Sequence, residues 1–359
     1  MKLLTIVGSR PQIIKSSWLS FIINKKFTKK LNEVVVDTGQ HYTPELINLF
    51  RHKNFNYKPK YKLNEKTEFK LINIVSKLEK IIIKEKPDLV LVFGDTRSAL
   101  VGSIAAKKVG IKLAHVESGL RSKNFDMPEE INRILIDNIS DYLYCPDNNS
   151  KKNLDEENLG KKSLISGDIL DDIFFHFQKF IRPKNKIIYK NLDLNKKYIL
   201  FTCHRYETLK SKEKLENVLK AISYLSKKNQ IIFLIHPNTK NKINKYKLNK
   251  YLKDVILSPP LEYLQCLELQ KYCSLLITDS GGLQRESFLF NKNCVLIRNE
   301  TEWKHILGST KVCGYNPKQI IFYVNKILKI LNKPKKNFKV KTSNNADLIL
   351  RDIFRKISS

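Results

Sequence analysis

Short runs of consecutive aliphatic and aromatic residues recur along the chain, separated by stretches in which apolar positions return every three or four residues. Leu3 to Val7, Glu33 to Asp37, Leu89 to Phe93, Lys112 to Val116, Tyr142 to Cys145 and Leu164 to Ser166 form a first set. Most are aliphatic or β-branched without polar alternation, which predicts strands of a parallel sheet buried on both faces rather than half-exposed hairpins. Helical periods lie between most of them, so the pattern is that of a doubly wound α/β domain.

After Gly167-Asp168 comes a mixed stretch, and then the same pattern starts again. Tyr198 to Thr202, Ile231 to Ile235, Val255 to Leu257, Leu275 to Thr278 and Cys294 to Ile297 read as strands. Glu213 to Lys228, Leu261 to Tyr272 and Pro317 to Leu331 read as helices between or after them. The expected organisation is an N-terminal Rossmann-like domain over residues 1–168, a second over 169–340, and a tail over 341–359. A lysine-rich linker follows Pro334, and the tail holds a helix from Asn345 to Ile357 that is expected to pack back on the first domain. Open α/β sheets bind ligands beyond the carboxyl ends of their strands, so two such domains facing each other would form a cleft.

Composition narrows the class. The chain of 359 residues is 42% hydrophobic and 28% charged, a globular composition that excludes disordered, collagenous and disulfide-scaffold readings. No apolar run reaches the roughly 18–20 residues of a bilayer span, and the start reads as a buried strand rather than a cleavable leader. The six cysteines, Cys145, Cys203, Cys266, Cys273, Cys294 and Cys313, stand singly without a C-x-x-C pair. Neither a zinc site nor a disulfide framework is expected, and the natural compartment is a reducing cytoplasm.

Lysine and arginine number 66 against 35 acidic residues, a formal charge of +31. Only 11 of the cations are arginine, the residue suited to bidentate phosphate and base readout. The remainder are lysines scattered over helices, a solvated bias that can steer an anionic substrate at low salt but carries no nucleic-acid module. No nucleic-acid partner is expected.

The informative polar residues sit just behind the strands. Leu3 to Val7 runs into Gly8-Ser9-Arg10-Pro11-Gln12, with Lys15 one turn further, joining a glycine turn and a helix N-terminus to two cations. Leu89 to Phe93 ends in Gly94-Asp95-Thr96, where Asp95 taken alone reads as a helix cap. Lys112 to Val116 ends in Glu117-Ser118-Gly119, and Pro128-Glu129-Glu130 opens a helix. Capping does not explain three carboxylate positions, Asp95, Glu117 and Glu129, delivered to one rim of one sheet. Clustered carboxylates raise one another's proton affinity, which suits proton transfer near neutral pH. In the second half, Cys203-His204-Arg205 and His236-Pro237 follow two strands. Asp279-Ser280-Gly281-Gly282 follows a third, with small residues that let backbone N–H groups approach a pyrophosphate and Glu286 further along for a ribose.

These segments resemble the non-hydrolysing UDP-N-acetylglucosamine 2-epimerases. The matching stretches are Gly8-Ser9-Arg10-Pro11, Thr38-Gly39-Gln40-His41, Gly94-Asp95-Thr96, His115 to Arg121, Pro128 to Arg133, Cys203-His204-Arg205, His236-Pro237 and Thr278 to Gln284, in family order over most of the chain. The resemblance implies the two-domain fold shared with many UDP-sugar glycosyltransferases (GT-B type) and a homodimer. It implies that Asp95, Glu117, Glu129 and His204 are the catalytic group. It implies anti elimination of UDP to a 2-acetamidoglucal and re-addition with the opposite configuration at C2. Arg10, Lys15, Arg133, Arg205, His236, Ser280, Gly281, Gly282 and Glu286 are the expected contacts to the UDP-sugar. No cofactor is expected, since the first turn lacks the G-x-G-x-x-G fingerprint that a keto-intermediate epimerase holding a nicotinamide would need.

Three features depart from the commonest members. Gln12 stands where a glutamate is usual. Glu302-Trp303-Lys304-His305 replaces Glu-Arg-Pro-Glu and, with Met127-Pro128-Glu129-Glu130, resembles the branch acting on UDP-2,3-diacetamido-glucuronic acid. A glutamine-containing regulatory segment is not found around Leu63 to Phe69. A glycosyltransferase of the same fold is the rival enzyme, although it would not need three acids on the opposite rim.

Overall fold

The computed structural model describes residues 1–40, 57–63, 71–187, 194–303, 306–330 and 343–358. The chain forms two compact units, Met1–Ile173 with Thr342–Ser359, and Phe174–Lys341. Each is built on one parallel sheet. His41, Lys304, His305, most of the segment from Leu63 to Phe69 and the lysine-rich stretch after Pro334 lie outside the described residues.

In the first unit the strands are β1 (Lys2–Val7), β2 (Asn32–Asp37), β3 (Tyr61–Lys62), β4 (Leu89–Phe93), β5 (Lys112–Val116), β6 (Tyr142–Cys145) and β7 (Ser163–Ile165). Their order is β3-β2-β1-β4-β5-β6-β7. All pair in parallel, with Leu3 opposite Glu33 on one side and Leu89 on the other. The five residues of β4 are fully buried, as the unbroken apolar run requires of a strand covered on both faces. Leu4, Ile6, Val90 and Val92 pack against Ile74, Leu78 and Ala105 from the helices Leu71–Glu85 and Arg97–Lys108.

The second unit repeats the arrangement with β8 (Tyr198–Phe201), β9 (Gln230–Leu234), β10 (Ile256–Ser258), β11 (Leu275–Thr278), β12 (Cys294–Leu296) and β13 (Thr310–Val312), in the order β10-β9-β8-β11-β12-β13. Phe201 and Phe233 stack at 4.3 Å on one face of this sheet, in a core with Val218, Ile222 and Val324. Strand order reverses at β1/β4 and at β8/β11, so in each sheet the adjacent carboxyl ends at the reversal form the crevice where such folds take ligands. Gly8 and Asp95 stand at the first reversal, His204 and Asp279 at the second.

The short edge strands β3 and β13 were not legible, being two or three residues of mixed polarity. Helix starts also differ by a residue or two. The helix expected from Leu261 begins at Tyr263, where the Gln265 side chain accepts from the Glu262 N–H at 3.0 Å after the Pro259-Pro260 pair. Among the described residues no helix is long and apolar enough to cross a membrane.

The last helix, Asn345–Ser358, belongs to the first unit. Its first N–H groups, from Asn345 and Ala346, donate to the two Asp172 oxygens at 2.9 and 2.8 Å, an N-terminal cap supplied from a distant segment. The Tyr144 hydroxyl donates to Asp352 at 3.0 Å further along.

The turn after β5 leaves no room for a side chain against the backbone of the helix Asn148–Glu156. Gly119 has φ +78°, and a Cβ there would stand 2.3 Å from the Ser150 carbonyl oxygen. Gly119→Ala is therefore expected to cost about 1–3 kcal/mol through overpacking and strain. The measurement is the midpoint of thermal unfolding, which should fall; an unchanged midpoint would mean the turn relaxes freely.

Candidate functional site

At the β1/β4 reversal, one amide joins the two strand ends. Gln12 is buried; its Oε1 accepts from the N–H groups of Gly8 (2.9 Å) and Ser9 (3.1 Å), and its Nε2 donates to Phe93 O and Thr96 Oγ1, both at 2.7 Å. A glutamate could accept the first pair but could not donate the second as a carboxylate, so the amide at this position fits its surroundings. Thr96, not Asp95, caps the following helix, accepting from Ala99 N at 3.2 Å. That corrects the capping reading of Asp95 and leaves its carboxylate for Arg133, whose Nη2 it accepts.

Arg133 is buried and shared between Asp95 and Glu130, the latter at 2.6 Å. Glu130 also accepts from the N–H groups of Ser122 (2.9 Å) and Lys123 (2.8 Å). Burial opposes ionisation of Glu130, yet these donors and Arg133 outweigh it and hold its carboxyl below the usual range. Glu129, its neighbour on the same first turn, has an Oε2 that is buried with no hydrogen-bond partner among the described residues.

Glu117 is the most constrained of the set. Its backbone lies in the left-handed region at φ +73°, which costs a non-glycine residue roughly 1–3 kcal/mol and persists only where the surroundings impose it. Lys15 Nζ stands 2.6 Å from its Oε2. Burial raises the Glu117 proton affinity; Lys15 lowers it; Asp168 and Asp95 raise it again, and the net shift is upward. A carboxyl in that state can accept and release a proton closer to neutrality than a solvated one.

The turn carrying Glu117 is fixed from behind by Asp137. This fully buried carboxylate contacts His115 Nδ1 at 2.7 Å and Arg121 Nη1 at 2.8 Å, and accepts from Gly119 N at 3.0 Å. His115 Nε2 in turn contacts the Gly94 carbonyl at 2.9 Å, joining the β5 and β4 ends. Burial alone would raise the Asp137 pKa, but His115 and Arg121 carry it below the usual aspartate value.

In the second unit Asp279 plays the corresponding part. Fully buried at the end of β11, it accepts from the backbone N–H groups of His204 (2.9 Å) and Arg205 (2.9 Å) and from Thr208 Oγ1 (3.3 Å). The His204 side chain is 40% exposed, with Nδ1 3.6 Å from Asp279. Burial and then Asp279 push the Cys203 thiol well up, so it stays protonated beside them. His236 caps its own helix, its Nδ1 accepting from Asn238 N at 3.2 Å, and its ring centroid is 6.1 Å from that of His204.

Ser280 is the N-cap of the helix Gly281–Leu289, its side chain accepting from Leu283 N at 3.4 Å. Gly281 lies against Glu302, with Oε1 3.0 Å from where a Cβ would stand, and Gly282 is unobstructed. Glu302 is held by Arg298 at 3.0 Å and Arg205 at 3.8 Å, while Trp303 carries the Arg285 guanidinium 4.6 Å above its ring. Glu286 is buried and accepts from Gln270 Nε2 at 2.6 Å. Arg10, half-buried, opens the first helix of the first unit.

The first unit thus gathers Lys15, Asp95, Glu117, Glu129 and Arg133, and the second gathers His204, Arg205, His236, Ser280, Gly281 and Gly282. Sequence reasoning missed Asp137, Asp168 and Asp279 as supports; their only signal was an acid near a strand end or helix.

A family model described as UDP-N-acetylglucosamine 2-epimerase matches residues 25–346. A Methanococcus maripaludis protein described as a UDP-N-acetylglucosamine 2-epimerase homolog is 38% identical over 335 residues, 91% of this chain and 92% of that one. The Pseudomonas aeruginosa UDP-2,3-diacetamido-2,3-dideoxy-D-glucuronate 2-epimerase is 36% identical over 323 residues, covering 88% and 87%. The crystal structure of the Methanocaldococcus jannaschii UDP-GlcNAc 2-epimerase, in complex with UDP-GlcNAc and UDP, superimposes with a TM-score of 0.86 at 33% identity over 99% of this chain and all of that one.

Replacing Asp137 by Asn would leave buried Arg121 with Glu157, at 2.6 Å, as its remaining carboxylate partner and weaken the hold on Gly119, an expected loss of about 1–3 kcal/mol at neutral pH. A depressed carboxylate pKa stabilises the fold above the unfolded value near 3.9 and loses that contribution as pH falls through the folded one. Unfolding followed from pH 7 to 3 should therefore show a shallower acid loss in Asp137→Asn than in the parent. Parallel curves would remove Asp137 as the ionic support.

Proposed function

The chain belongs to the UDP-N-acetylglucosamine 2-epimerase family, and from that premise we propose that it interconverts UDP-GlcNAc and UDP-ManNAc without hydrolysis. The observation that carries the reading is the partly buried Glu117 carboxyl, paired with Lys15 and with its proton affinity raised, beside Asp95 at the same sheet rim. The C2 hydrogen of the sugar is weakly acidic. Its removal needs a positioned base, while departure of UDP needs cations and N–H donors for the growing negative charge.

The proposed reaction has two balanced halves. A carboxylate takes the C2 proton, the C2–H electrons form the C1=C2 bond, and the C1–O bond breaks to release UDP, leaving the 2-acetamidoglucal. A protonated group then returns a proton to the opposite face of C2 as the UDP oxygen rebonds to C1. Asp95, Glu117 and Glu129 are the proposed acid and base groups, with His204 assisting the diphosphate. Ser280, Gly281, Gly282 and Arg205 are the proposed diphosphate contacts, together with Arg10; Lys15, its ammonium buried between Glu117 and Asp168, is assigned to those carboxylates rather than to the diphosphate, and Glu286 to the ribose. His236 and Arg133 complete the substrate-binding assignment, Arg133 through Asp95. Donor placement at the Gly281 N-terminus supports this division. Surface polysaccharide precursor synthesis in the cytoplasm is the proposed setting.

Incubation with UDP-GlcNAc in heavy water, followed by proton NMR, should show the C2 epimer forming with deuterium at C2 and no added nicotinamide. A C2 hydrogen inert in UDP-GlcNAc overturns the substrate, and exchange in the diacetamido-uronate analogue instead would assign the chain to that branch. Asp95→Asn, Glu117→Gln and Glu129→Gln should each lower turnover by about 10²–10⁴-fold while UDP affinity changes little. Near-normal rates in all three would remove the carboxylate assignment.

A homodimer is proposed as the assembled form. Light scattering on the purified protein should give twice the chain mass; a monomer mass at micromolar concentration would reject it.

A further inference from the structure

Lys15 is 5% exposed, and its ammonium stands between two carboxylates, 2.6 Å from Glu117 Oε2 and 3.1 Å from Asp168 Oδ1. Burial alone would lower the Lys15 pKa, but Asp168 and Glu117 outweigh it and lift it above the usual lysine value. The ammonium is thus a fixed charge across the working pH range, and any proton that moves here moves on a carboxyl. What remains variable is how the one positive charge is divided.

Asp168 is held rigidly where it makes that division. It is 3% exposed, its Oδ1 also accepts from Leu170 N at 2.9 Å, and its carbonyl accepts from Asn345 Nδ2 at 2.7 Å. One cation facing two carboxylates cannot neutralise both. The charged groups facing Glu117 are Lys15 from the first helix, Asp168 from the turn after β7 and Asp95 from the end of β4; β6 contributes the Tyr144 carbonyl, which accepts from Glu117 N at 3.0 Å. Two of the three charges are negative, and Asp168 is the one with no expected contact to a substrate.

We propose that Asp168 is a positioning residue for the reaction: by sharing Lys15 with Glu117 it prevents that lysine from locking Glu117 in its ionised form, and so keeps Glu117 able to take up and release a proton. The inference rests on the proposed role of Glu117 in epimerisation and assigns it a partner that neither spacing nor the family resemblance named.

Asp168→Asn removes the charge while keeping an oxygen that can accept from Leu170 N–H and from Lys15. Loss of a neighbouring negative charge and an undivided Lys15 both favour ionised Glu117. The limb of the kcat against pH profile that belongs to Glu117 should therefore move to lower pH by about one unit, whether Glu117 acts as acid or base. KM for UDP-GlcNAc should change little, and Asp168→Glu, which restores the charge, should return the limb toward its parental position. The full-length protein is used throughout, with unfolding midpoints as the control for folding. A fall in kcat or midpoint with the limb unmoved overturns the proposal and leaves Asp168 a structural cap. Glu117→Gln identifies the limb by abolishing it. If that variant keeps both limb and turnover, the proposed role of Glu117 fails, a result distinct from an unmoved limb in Asp168→Asn.

Discussion

A carboxylate at the end of a buried parallel strand or beneath it has lost its water and must be answered by cations or N–H donors, because an unanswered buried charge costs several kcal/mol. Asp137 and Asp279, both fully buried, show what that constraint builds. Each spends its oxygens on the backbone of the loop that carries candidate groups: Asp137 on Gly119, with His115 and Arg121, and Asp279 on His204 and Arg205. Satisfying the acid and fixing the loop are one event. The two units, alike in strand order, use the same device at different strand ends, after β5 in the first and after β8 in the second.

The consequence is graded carboxyl environments within one unit. Asp95 is partly exposed and paired with Arg133; Glu117 is less exposed, in a left-handed backbone, against Lys15; Glu129 has one oxygen buried with no hydrogen-bond partner among the described residues. Of the three, Glu117 has the surroundings that raise a carboxyl's proton affinity, burial and the Asp168 and Asp95 charges together outweighing Lys15.

Much of this could be read from the chain before folding, and the rest could not for a physical reason. The unbroken runs of β4, β5, β6 and β11 gave their bounds to the residue, since strands buried on both faces announce themselves by composition. β3 and β13, short edges with polar residues, carry no such pattern. Asp95 could not be told from a cap because Thr96 beside it is an equally good one. Lys15 read as a cation for a ligand, whereas its carboxylate partners, Glu117 and Asp168, lie more than a hundred residues away and meet it only through sheet order. Local chemistry is legible; pairings made by topology are not.

The return of the final helix to the first unit has a bearing on how the molecule comes into being. Asn345 closes on Asp168 and Asp172 only after the whole of the second unit has been synthesised, so the first unit is discontinuous in sequence. A chain emerging from the ribosome would hold the β1-to-β7 sheet for the time taken to translate some further 170 residues before that seam could close. At about 5–20 residues per second this is a wait of roughly ten to thirty seconds. During it the apolar face later covered by Ile349, Leu350 and Ile353 stands open. The first unit therefore passes through a stage in which this apolar surface has no cover from its own final helix.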